Sequence, residues 1–206
     1  MINSYGYGSD NWWTYNYLMW KDPAKTSVNI GLPGPIDTLN PGWASKDSAW
    51  EVLDRTYEGL WMVEPSDLHR DIMWGCINWT WQPWNDPSMG VEYGQKVRFR
   101  IRPGIYWHDA TSYTAVDAAF SWDTIKNLQL AQYAPVLTTY VYSDIIDDYT
   151  IDVYMNCTAL WYVYDYARSA MIFNEAVWKP LWNKPAEAEA FTPWNITYDE
   201  WTGSSG

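Results

Sequence analysis

From Val97 to Arg102 apolar and basic residues alternate without interruption, Val97, Phe99 and Ile101 against Arg98, Arg100 and Arg102. That period of two marks a strand buried on one face only. Something must cover the apolar face, and a row of guanidinium groups is left on the other. Pro103-Gly104 then turns the chain and Ile105-Tyr106-Trp107 follows. Thr114, with Asp117 at the third position beyond it, forms a helix N-terminal signal. Behind that signal Ala115, Ala118, Ala119, Trp122 and Ile125 recur at helical spacing. The spacing predicts a strand–turn–helix corner.

Further elements follow from the same reasoning. Ile151, Val153 and Met155 alternate with Thr150, Asp152 and Tyr154, predicting a second strand that starts from a turn at Asp147-Asp148. Ser48 and Glu51 make a capping box, and Ala49, Val52, Leu53, Thr56, Tyr57 and Leu60 fall on one helical face. Gly59 lies where glycine often ends a helix. A helix is expected over about 160–170, and Asn174 is expected to cap another through Trp178 before Pro180 and Pro185 break regularity. Ser27 to Leu32 reads as a strand running into Pro33-Gly34-Pro35, whereas residues 1–25 show no sustained period. Residues 61–94, rich in Trp, Pro and Gly, show no pattern clear enough to assign. No internal repeat is visible, and the mixture reads as α/β or α+β.

Composition excludes several functions. The formal net charge of −12 repels phosphate backbones and no Lys/Arg cluster offsets it, so no nucleic-acid partner is expected. With 17 Trp and 17 Tyr the chain has the rings to build a core, unlike a disordered segment. Cys76 and Cys157 are either one disulfide or two buried thiols, and spacing does not choose between them. Only His69 and His108 are available, without zinc spacing, and no nucleophile elbow, P-loop or dinucleotide fingerprint occurs. Asp144, Asp147 and Asp148 precede a strand and read as a solvated turn rather than a glycosidic pair. No catalytic residue, metal site or cofactor is therefore expected. The sequons at Asn78, Asn156 and Asn195 are near chance in a chain this rich in Asn and Thr. No apolar run reaches bilayer length, and the start carries no visible signal peptide.

Four segments, in order, resemble one family. They are Ile36-Asp37-Thr38-Leu39-Asn40-Pro41, then Tyr57-Glu58-Gly59-Leu60, then the run from Val97 through Trp107-His108-Asp109 to Asp117, and finally Ile146 to Ile151. Together they look like the extracytoplasmic solute-binding proteins of ABC importers, of the oligopeptide/dipeptide type (family 5), over about residues 26–180. The sequence departs from that pattern at Ala110, where the family usually has Gly, at Ser112 in place of Pro, and at Val116 in place of an acidic residue. Ala110 costs stability if that turn requires positive φ.

The resemblance implies a mixed α/β, periplasmic-binding-protein-like type II fold. Residues 1–25 would be an irregular N-terminal segment and 26–206 an incomplete first lobe, with the second lobe absent. It implies a monomer outside the cytoplasm that captures a peptide and delivers it to an ABC permease, with no chemistry on the solute. Oligosaccharide binding within the same family is the rival reading, and a cell-surface interaction module is the alternative from another class. Carried over by position, the ligand contacts are Ser45, Lys46, Asp47 and Tyr133. Ordinary packing before Pro135 is the alternative for Tyr133, and a solvated loop is the alternative for Lys46 and Asp47. The Trp107-His108-Asp109 stretch is expected to be structural.

Overall fold

A computed structural model describes residues 31–182 apart from 33, 65 and 66. The expected strand over Ser27–Leu32 falls almost wholly outside the described residues, as do residues 1–25, Pro185, Asn195 and the C-terminal tail. In chain order the helices are α1 (Asp47–Leu53), α2 (Ala115–Asn127), α3 (Ala134–Thr139), α4 (Trp161–Tyr164) and α5 (Glu175–Trp182). The strands are β1 (Trp61–Glu64), β2 (Asp67–Met73), β3 (Cys76–Asp86), β4 (Val91–Ile101), β5 (Tyr140–Asp147) and β6 (Thr150–Met155).

The alternating run forms the expected strand buried on one face, and it lies inside a sheet. β4 lies in a four-stranded antiparallel sheet of order β3–β4–β6–β5, and β1 and β2 form a separate antiparallel hairpin. Val97, Phe99 and Ile101 are fully buried, as are their neighbours Ile151, Val153 and Met155 on β6. α2 packs on this face, with Trp122 6.0 Å from Phe99, ring centre to ring centre. On the opposite face Arg98 forms a two-pronged ion pair with Asp152 (2.5 and 2.7 Å), and Lys96 reaches the same carboxylate at 3.2 Å. Burial raises the Asp152 pKa, but its hydrogen bonds to Arg98 and Lys96 outweigh that and hold the carboxyl below its ordinary value.

α2 begins as expected. Thr114 Oγ1 accepts from the Val116 amide, and Asp117 Oδ2 accepts from the Thr114 amide at 2.8 Å. The other oxygen of Asp117 accepts from the Glu175 amide at 2.9 Å, so one carboxylate fastens the starts of α2 and α5 together. Asn174 Oδ1 caps α5 by accepting from the Ala176 amide at 3.0 Å. The Trp107–Asp109 corner is structural. Asp109 Oδ1 accepts from the Thr111 amide and hydroxyl (2.9 and 2.6 Å), while Oδ2 takes a hydrogen bond from Asn174 Nδ2 at 3.2 Å. Ala110 stands at φ +68°, the left-handed region that its usual Gly counterpart would enter freely.

Three expectations need correction. The Ser48/Glu51 capping box does not form: α1 starts at Asp47, its N-cap is Lys46, and no side chain caps it. Ser48 is needed on the buried face with Ala49 and Leu53, and Glu51 instead pairs with Arg55 at 2.9 Å. Nor does Gly59 end the helix, which stops at Leu53. A Cβ on Gly59 would sit 2.7 Å from the Ala167 carbonyl oxygen, so this glycine serves a close backbone approach. Pro180 does not break α5, which continues to Trp182. The missing N–H deprives only the Ala176 carbonyl, and Ala176 is exposed to water. The helix expected over 160–170 is α4 continued by a π-helical turn over Asp165–Ser169.

Cys76 and Cys157 are free. Cys76 pairs with Ile101 at one end of β4, and Cys157 lies two residues beyond Met155, which pairs with Gln95 six residues along the strand. At strand rise Ile101 and Gln95 are about 20 Å apart, well beyond the reach of a disulfide.

Candidate functional site

The predicted ligand contacts cluster around the loop that leads into α1. Asp37 organises this loop. Its Oδ2 accepts from the Ser45 amide (2.9 Å) and the Ser45 hydroxyl (2.7 Å), and its Oδ1 accepts from the Thr38 amide at 3.0 Å. The slight burial of Asp37 raises its pKa, but these donors more than offset the effect and bring it down to about 2. Within the loop Asn40 Oδ1 accepts from the Gly42 amide, and the Asn40 carbonyl accepts from Trp43 and Ala44. Asn40 is itself 5% exposed, and its Nδ2 finds no acceptor among the described residues.

Ser45, Lys46 and Asp47 are all exposed at the rim of this loop. Lys46 turns the chain into α1 by offering its carbonyl to the Ala49 and Trp50 amides, and Asp47 occupies the first turn, where a negative charge is favoured. Tyr133 lies beneath them. It is 4% exposed and donates its hydroxyl to the Pro41 carbonyl at 3.1 Å. Its ring meets Trp50 of α1 and Phe173 edge-on, both at 6.2 Å. Burial pushes its phenol well above the ordinary range, with the nearby Tyr57 and Asp54 adding to the shift. Gln132 also donates to the Pro41 and Gly42 carbonyls. The four predicted residues are thus gathered in one place, three on the surface and Tyr133 as packed support. Packing, the alternative weighed for Tyr133, describes its surroundings among the described residues.

Asp37, Pro41 and Gln132 hold the loop; the sequence placed Asp37 and Pro41 in a family-like segment but gave neither of them, nor Gln132, this role. Asp37 and Ser45 are too far apart in the chain for a turn motif to reveal their contact. A separate cavity of about 310 Å³ lies on the far side of α2, lined by Val116, Phe120, Asp123, Ile145, Glu175 and Lys179 among others. None of the predicted contacts reaches it. Its charged groups are already engaged: Asp123 accepts from Tyr140 and Lys179 pairs with Glu175, both at 2.5 Å. Among the described residues no group of His, Cys, Asp and Glu is arranged to hold a metal ion, and no helix is long and apolar enough to cross a membrane.

No family model matches the chain. It is 28% identical over 124 residues to a protein of Agrobacterium fabrum described as a probable peptide-binding protein, YejA, a match covering 58% of this chain and 18% of the relative. The oligopeptide-binding protein AppA of Bacillus subtilis, solved with a nonapeptide, superposes with a TM-score of 0.55 at 13% identity, over 81% of this chain and 30% of that one. A periplasmic oligopeptide-binding protein of Thermotoga maritima, solved with mannohexaose, gives 0.50 at 20% identity, over 65% and 22%. The chain therefore spans about a fifth of the length of its curated relative. Its α/β fold is that of part of a lobe of the periplasmic binding proteins. The matched proteins are described as binding proteins, not as enzymes.

Proposed function

We propose that this chain, part of a solute-binding protein of the oligopeptide/dipeptide type, contributes the first-lobe half of a site that captures a peptide for an ABC importer. The observation that carries this reading is the joint likeness, in sequence to a peptide-binding protein and in fold to oligopeptide-binding proteins. On this reading Ser45, Lys46 and Asp47 touch the solute, and Tyr133 positions them through Pro41. The Asp37 carboxylate keeps the rim in shape before a solute arrives, which lowers the ordering cost of binding.

The rest of the site belongs to a second lobe that closes over the solute by hinge motion, since such pockets lie preferentially between domains. The protein works outside the cytoplasm as a monomer, hands the solute to a membrane permease, and performs no reaction on it. The mannohexaose held by the Thermotoga protein favours one second reading, an oligosaccharide as the solute.

Calorimetry on the longer, two-lobed protein with a mixed peptide set and with hexaoses is the test. Peptide binding weakened about tenfold by Lys46→Ala or Asp47→Ala is the expected result. Binding that ignores both substitutions removes the loop from the site, and binding of hexaoses alone transfers the function to sugars. The 206-residue chain by itself should bind the same solute far more weakly. Equal affinity would show that one lobe suffices.

A further inference from the structure

One groove of the fold plays no part in the capture of a solute. It is the cavity of about 310 Å³ beside α2. Val116, Phe120, Asp123 and Asn127 line it as one stripe of that helix, at helical spacing. Ile145 of the edge strand β5 forms one bank, and Glu175 and Lys179 of α5 form another. Ile145 pairs with Ile151, so it stands on the core-side face of the sheet, yet it is 46% exposed. Val116, across the groove, is 40% exposed.

Two features fix the kind of occupant that fits. The charged groups of the groove are already paired, since Asp123 accepts from Tyr140 and Lys179 pairs with Glu175. What remains is an apolar wall beside the outer edge of β5, which pairs with no further strand among the described residues. An extended chain with apolar residues on one face satisfies both, its backbone bonding to the edge and its side chains filling the groove.

The chain itself supplies one. α5 forms a bank of the groove and ends at Trp182, less than one turn beyond Lys179. Further on, Trp194, Ile196 and Tyr198 alternate with Asn195 and Thr197, the period of a strand that is apolar on one face. The stretch from Asn183 to Pro193 reaches roughly 35–40 Å when extended, whereas the groove from Val116 to Asn127 is about 17 Å long. Pro193 stands just before the run, where it removes no bond from a ladder. The N-terminal segment is worse placed. It joins the described residues beside α1, where Gly34 faces Ser48, and α1 lines no part of the groove. We propose that Trp194–Tyr198 docks along the edge of β5 as a further strand, with Trp194, Ile196 and Tyr198 turned into the groove. Docked there, it covers an edge that is otherwise open to pairing with another chain. This stands whether or not the transport reading does.

In the 206-residue chain, Ile145→Cys places a thiol on the wall of the groove. Its rate of alkylation by a maleimide is followed by peptide mass spectrometry, which separates it from Cys76 and Cys157. Trp194→Ser combined with Ile196→Ser is expected to speed that reaction about tenfold or more, because the protecting contact is lost. Tyr93→Ser, at a ring 77% exposed elsewhere, should leave the rate unchanged. Hydrogen exchange of the β5 amides, measured with Ile145 native, reads the same contact without a new cysteine and should accelerate with the same two substitutions. The proposal is overturned if either rate ignores the loss of Trp194 and Ile196. Faster exchange spread evenly over α2, β4 and β5 also overturns it, since a docked strand protects the edge rather than the core. Protection that fades on dilution of the chain would assign the groove to a second copy instead.

Discussion

Ala110 occupies left-handed backbone space at φ +68° between Asp109 and Thr111, in the turn that closes the strand–turn–helix corner. A Cβ in that region costs about 1–2 kcal/mol, and glycine gives back about 0.5–1 kcal/mol through the freedom it adds to the unfolded chain. Ala110→Gly should therefore raise stability by roughly 0.5–1 kcal/mol, read as a higher urea midpoint at constant slope. An unchanged or lower midpoint would mean that the turn relaxes around alanine. The sequence pointed to this residue because the resemblance expected glycine there. Asp37 was less legible, since its contact with Ser45 is made only by the folded loop. Its depressed pKa implies a contribution to stability that is present above the ordinary value near 3.8 and is lost as pH falls through about 2. The Ser45 amide signal should titrate with a midpoint near 2, and Ser45→Ala should move that midpoint up towards 3.8. A wild-type midpoint already near 3.8 would show that the loop is not held by this carboxylate.

At the level of elements, α2 shows what a local signal conveys and what it omits. The Thr114/Asp117 box marks the helix start from sequence, and the structure repeats it bond for bond. The second duty of Asp117, accepting from the Glu175 amide, joins residues distant in sequence and carries no local signature. Asp117→Ala should thus cost more than a lost cap. An N-cap alone is worth about 1 kcal/mol, and losing further hydrogen bonds to a charged, buried group brings the total to roughly 2–3 kcal/mol. Chemical denaturation of the variant measures this, and a loss below 1 kcal/mol would assign the α5 contact no energetic weight. Strand β3 failed to announce itself for the opposite reason. It is an edge strand whose Trp79 and Trp81 alternate with Asn78, Thr80 and Gln82. The run is short, largely exposed and followed at once by Pro83, so its period of two does not stand out from the Trp- and Pro-rich stretch around it. Pro83 sits within it without harm, as edge positions allow.

For the whole molecule, the placing of the cysteines is a consequence of sheet register. Cys76 and Cys157 stand far apart along β4, and burial pushes the Cys76 thiol up to about 11. Air oxidation of the folded protein should leave both thiols countable after denaturation, and an intramolecular disulfide found in it would contradict the register. What the sequence determined by itself was local: the faces of β4 and β6, the cap of α2, the Asn174 cap, and a set of motifs whose order resembles that of a family. Those features depend on residues close in the chain, where period and capping chemistry act directly. The tertiary structure decided where Asp37 finds its donors, that Tyr133 supports the loop through Pro41, and where α1 begins. Each of these depends on which distant segments meet, and that is settled by the packing of buried faces against one another rather than by any spacing along the chain.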